Sequence, residues 1–102
     1  MTTVHKTVLR GEAVEALAIK NSSIVADATL GACGHAESIT SKLDAHGTFV
    51  GIDADSVAIA NGKELLKAST CTMHLEVGNF RNIDSIFTQL HIPKADAILA
   101  DL

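Results

Sequence analysis

Asp27-Ala28-Thr29-Leu30-Gly31-Ala32-Cys33-Gly34-His35 is the stretch on which the reading of this chain turns. An apolar run, Ile24 to Thr29, leads into it, and Ala36, Ile39 and Leu43 follow at helical spacing. The stretch therefore reads as a turn from a strand into a helix. Glycines there let the backbone come close to a ligand, and the start of the helix offers N–H groups without intrahelical partners. In open α/β sheets ligands bind beyond the carboxyl ends of the strands, which makes this turn a candidate site. On the glycines alone, an ordinary tight turn explains the segment equally well.

Working outward, the same run type recurs. Ile24–Thr29, Thr48–Asp53, Thr72–Val77 and Asp96–Asp101 begin about 24 residues apart, each short enough for a strand and apolar enough to be buried on both faces. Helical patterns fill the intervals. Ser56 or Asp55 can cap a helix carrying Val57, Ala60 and Lys63 to Leu66, and Ile83, Ile86, Phe87 and Leu90 form an apolar stripe. His46-Gly47 and Pro93 act as stop signals. A further helix is expected at about 11–19, with Val14, Leu17 and Ala18 inward. Strand and helix in alternation imply right-handed crossovers and a parallel sheet.

Size and composition agree. The 102 residues allow one small domain, able to bury roughly 65% of its unfolded surface. The apolar share is 47% with 3% aromatic, so the core is Ala, Val, Ile and Leu, as suits helices on a buried parallel sheet. No apolar run approaches the roughly 18 residues of a membrane span, and Met1 to Lys6 lack a signal-peptide pattern. A cytoplasmic protein without a membrane partner is expected. A net charge of -4 gives no independent sign of nucleic-acid contact, which would need a local basic cluster or residues outside this chain. Cys33 and Cys71 are far apart and read as reduced thiols, and the scattered histidines form no metal-ligand spacing.

The candidate ligand follows from what the turn lacks. G-x-G-x-x-G is absent, since only Gly31 and Gly34 are present, and no Lys follows as in a phosphate-binding P-loop. What remains is an acid, Asp27, four residues before Gly31. That suits a ligand with a cationic centre and an amino-acid ammonium, both of which S-adenosyl-L-methionine carries. Asp53, at the tip of the second strand and about 20 residues past the turn, is spaced to accept ribose hydroxyls. Asp55 reads as a helix cap. Phe80, in Gly78-Asn79-Phe80-Arg81, either flanks an adenine ring or packs under the third helix. Asp101, at the end of the fourth run, is positioned to meet the methyl donor or the acceptor and is the one candidate catalytic residue.

These motifs together resemble the N-terminal part of the bacterial ribosomal RNA small-subunit methyltransferase H family, also called MraW. The likeness rests on His5-Lys6-Thr7-Val8-Leu9 with Glu12-Ala13-Val14, and on Asp27-Ala28-Thr29-Leu30-Gly31 with Gly34-His35-Ala36. It continues through Gly51-Ile52-Asp53-Ala54-Asp55 with Ala58-Ile59-Ala60, Gly78-Asn79-Phe80, and Ile98-Leu99-Ala100-Asp101-Leu102. Cys33 stands where the family has glycine, and Thr7 where it has proline.

The resemblance implies a Rossmann-like class I methyltransferase fold using S-adenosyl-L-methionine. It also implies methylation of N4 of a decoding-region cytidine in small-subunit ribosomal RNA. It carries cofactor contacts onto Cys33, Gly34, His35, Asp53, Phe80 and Asp101, beside Asp27 and Gly31. Residues 1–102 would be an incomplete α/β domain with the four runs ordered 3-2-1-4. The rest of the sheet and an inserted helical domain would lie outside it, and contact with ribosomal RNA and the 30S subunit would come through that absent part. The fourth strand is then expected to be an exposed apolar edge, favouring a homodimer or poor solubility, with no activity in isolation. Two rivals are a nicotinamide-dependent oxidoreductase fragment, which shares the fold and the ribose acid, and a non-catalytic truncated product.

Overall fold

The computed structural model of the protein describes residues 8–9, 19–28, 30 and 36–99. Its frame is a parallel sheet of β1 (Val8–Leu9), β2 (Ile24–Asp27), β3 (Thr48–Asp53), β4 (Thr72–Val77) and β5 (Ala97–Leu99), in the order β1-β5-β2-β3-β4. The helices are α1 (Ala36–Ser41), α2 (Ser56–Leu65) and α3 (Ile83–Gln89), the last preceded by a 3-10 turn at Phe80–Asn82. The four expected strands fall in the expected 3-2-1-4 order, which is the Rossmann-like arrangement.

The period-2 geometry of strands divides the core in two. Val25, Phe49, Ala97 and Leu99 point to one face, where they meet Ala36 and Ile39 of α1 and Ile59 of α2. Ala26, Val50, Ile52 and Ile98 point to the other, against Ile83, Ile86 and Phe87 of α3. The chain thus climbs from β2 to β4 with helices on one face and returns to β5 across the other.

Three expectations are corrected. The strand at 97–99 is not the sheet edge, because Val8 and Leu9 pair with Ile98 and Leu99. Two residues are too few to read as a strand from pattern, and this pairing removes the exposed fourth-strand edge. Among the described residues the sheet ends in β1 on one side and in β4 on the other. The first described helix ends at Ser41, well before His46-Gly47. Leu43 is buried nonetheless, as the chain folds back with Asp44 N–H donating to Asn21 O at 3.0 Å. Val57 and Leu65 lie outside the core at 62% and 59% exposure, and α2 instead buries Ile59 and Gly62.

β2 gives way to a turn at Ala28, and β5 starts at Ala97, one residue later than the run at 96–101. Asp96 explains the later start: its Oδ2 accepts the Ile24 N–H at 2.7 Å, while its own N–H donates to Ile24 O at 2.7 Å. This double clamp starts β2 and β5 at the same level. The expected helix at 11–19 lies outside the described residues except for Ile19, which packs on the α1–α2 face. Among the described residues, no helix is long and apolar enough to cross a membrane.

Candidate functional site

Parallel pairing brings the strand tips to one rim. Asp27, the last residue of β2, is level with Gly51 of β3 and Leu99 of β5. Asp53, the last residue of β3, lies two residues beyond Gly51 on the neighbouring strand and is level with Val77. Asp27 and Asp53 therefore share the carboxyl rim, as the spacing predicted. Gly31, Cys33, Gly34, His35 and Asp101 lie outside the described residues.

The two acids have different surroundings. Asp27 has no solvent-exposed surface and is engaged in an interaction within the protein. A buried carboxylate must be hydrogen-bonded or paired to be tolerated, so Asp27 is held by the protein's own groups. Asp53 is half-buried at the surface of the rim. Its Oδ1 accepts the Asp55 N–H at 2.9 Å, and its carbonyl accepts the Gly78 N–H at 2.9 Å. The first bond orients the Asp53 carboxylate, and the second fixes its main chain at the strand tip. Asp55 caps α2, its Oδ1 accepting the Val57 N–H at 2.8 Å, as the sequence indicated.

Two contributors escaped the sequence reading. Asn79 accepts the Arg81 N–H on its Oδ1 at 3.0 Å and so forms the turn that starts the 3-10 segment at Phe80. An Asn just after Gly78 is an ordinary turn signal. Phe80 is half-buried and packs against the α3-side core. The second is Leu30, within the glycine stretch itself and only 5% exposed. A Cβ on Gly62 would lie 2.9 Å from Leu30 Cδ2, and one on Gly51 would lie 3.1 Å from Cδ1. Leu30 thus sits in a socket made by a glycine in a strand and a glycine in a helix. An isolated helix glycine is the signal that could have revealed it.

The rim chemistry can be tested against a cofactor. The described rim carries Asp27, Asp53 and Asp55 against one guanidinium, Arg81. An acidic rim disfavours a pyrophosphate and fits a nucleoside bearing positive charge, which is the character of S-adenosyl-L-methionine. Among the described residues no group of three His, Cys, Asp or Glu could hold a metal.

Comparison with known proteins matches the model of the MraW methylase family over residues 2–102. The chain belongs to the MraW methylase family. Among curated members of the family, ribosomal RNA small subunit methyltransferase H from Clostridium botulinum strain Hall is 42% identical over 98 residues, covering 96% of this chain and 31% of that protein. The Loch Maree and Okra strains give the same identity and coverage. This MraW-family chain thus spans about a third of the length of the curated relatives it matches.

Proposed function

We propose that this chain is the cofactor-binding part of an S-adenosyl-L-methionine-dependent methyltransferase acting on N4 of a decoding-region cytidine in small-subunit ribosomal RNA. The observation that carries the reading is the pair of acids at neighbouring parallel strand tips, in a chain that belongs to a methylase family throughout its length. The cofactor supplies an activated methyl group on a sulfonium. The protein's part in such a displacement is to position and to shape charge.

In this reading Asp53 accepts the ribose hydroxyls, held in place by its bond to the Asp55 N–H. Gly31, Cys33, Gly34 and His35 line the amino-acid end, above the buried base formed by Asp27. Phe80 flanks the adenine with its exposed part. Asp101 accepts an N–H of the target amine and is the candidate catalytic group. The cytosine must leave its stack to reach this rim. Contact with the 30S subunit belongs to the two thirds of the relatives' length not covered here, in keeping with the net charge of -4. The chain alone binds cofactor weakly, transfers no methyl group, self-associates and works in the cytoplasm.

Calorimetric titration with S-adenosylhomocysteine and with NAD tests the assignment. Binding of the homocysteine nucleoside, weakened about tenfold or more in Asp53→Ala, is expected from loss of hydrogen bonds to a charged acceptor. Binding of NAD in its place would overturn the reading in favour of an oxidoreductase fragment, and binding of neither by the folded chain would favour a non-catalytic product. Methylation of small subunits by the 102-residue chain would refute its inactivity.

A further inference from the structure

β4 ends the sheet among the described residues, and its sequence is Thr72-Met73-His74-Leu75-Glu76-Val77. Thr72 N–H donates to Gly47 O and Gly78 N–H to Asp53 O, both on the β3 side and both at 2.9 Å. Main-chain groups of successive strand residues point to opposite edges, so those of Met73, Leu75 and Val77 face outward. Val77 is also one of the exposed large apolar residues, at 56%. An edge with outward N–H and C=O groups, unpaired with any other strand among the described residues, is a template for a further strand.

We propose that a second copy of this chain supplies that strand, running antiparallel, with Leu75 opposite Leu75 on a two-fold axis. In this register Met73 faces Val77, and each of the Met73–Val77 and Leu75–Leu75 pairs exchanges both main-chain hydrogen bonds. His74 then faces Glu76 in the non-hydrogen-bonded positions, where side chains across an antiparallel pair are closest. The segment is thus self-complementary: imidazole meets carboxylate twice by symmetry, and Val77 gains an apolar neighbour on the α2 side. Shifting the pairing by one step in either direction that keeps the hydrogen bonds puts His74 opposite His74, or Glu76 opposite Glu76. Of these three registers, the one centred on Leu75 avoids both and pairs all of Met73 to Val77 with one another. The dimer does not depend on the methyl-transfer reading, and it lies at the opposite side of the sheet from β5.

Sedimentation equilibrium of the chain at micromolar concentrations tests the pairing. The expected result is a reversible dimer, weakened about tenfold by Glu76→Arg, which faces His74, and by His74→Glu, which faces Glu76, because each change acts twice. An equimolar mixture of the two variants restores dimer, since in the mixed pair every charge meets its opposite or an imidazole. A chain monomeric throughout that range, variants that dimerise like the parent, or a mixture that stays monomeric would overturn the proposal. If either variant fails to fold, the His74→Cys/Glu76→Cys double variant provides a second measurement. Facing Cα atoms about 4.5 Å apart are within disulfide reach, so mild oxidation gives a linked dimer, and a chain that remains monomeric on a reducing-agent-free gel refutes the register.

Discussion

Replacing Leu30 with alanine, alone and together with Gly62→Ala, is expected to expose the socket as an energetic unit. Leu30 is buried, and two of its contacts are to positions that have no side chain, Gly51 and Gly62. Neither glycine can swing into the void, while the neighbouring Leu75 side chain is placed to fill part of it. The cost of Leu30→Ala is therefore expected near the middle of the usual range, about 3 kcal/mol. Gly62→Ala has two opposed effects. Alanine inside α2 gains about 1 kcal/mol of helix propensity over glycine. Its Cβ would also stand 2.9 Å from Leu30 Cδ2, which must move. Relieving that overlap costs on the order of 1–2 kcal/mol, so the single variant is near neutral or slightly destabilised. In the Leu30→Ala background the overlap is gone and the new methyl group enters the cavity. There Gly62→Ala should stabilise by about 1 kcal/mol. The four-protein cycle then shows a coupling of roughly 1–2 kcal/mol. Urea unfolding followed by circular dichroism, at low enough concentration to keep the chain monomeric, measures it through the midpoint at constant slope. Equal midpoint shifts for Gly62→Ala in both backgrounds would refute the socket.

Two further outcomes follow from single contacts. Asp96→Ala removes the 2.7 Å bond to the Ile24 N–H and should cost about 1.5 kcal/mol, with Asp96→Asn recovering part of it, read as a shift in melting temperature. Gly47→Ala would put a Cβ 2.6 Å from the Asn21 carbonyl oxygen and 2.9 Å from Leu43 Cβ, so the two backbone segments must separate. A loss of about 2–3 kcal/mol in urea unfolding is expected, and a neutral result would mean this turn is looser than its packing indicates.

The sequence made the layered sheet legible because β2, β3 and β5 are buried on both faces. Runs such as Thr48–Asp53 stay apolar without alternation, and the stripe Ile83, Ile86, Phe87 is a plain helical face. What it hid has physical causes. Val8 and Leu9 become a strand only because Ile98 and Leu99 lie beside them, a choice made by tertiary contact across the whole chain. Val57 is apolar yet exposed, since one hydrophobic position does not fix the rotation of a short helix. At the rim, Asp53 and Asp55 were readable from spacing, as strand tip and cap. The burial of Asp27, and the seat that glycines make for Leu30, depend on neighbours distant in sequence.

The position of β5 has a bearing on how the molecule comes together. It is wedged between β2 and β1, elements made some 70 and 90 residues before it. A growing polypeptide can form the β2–β3–β4 half as it emerges, but among the described residues β1 has no strand partner until residues 97–99 arrive. Such late insertion between distant segments is entropically slow. Synthesis of this stretch therefore includes an interval in which Val8 and Leu9 wait, and that interval is when a chaperone or a wrong pairing can capture them.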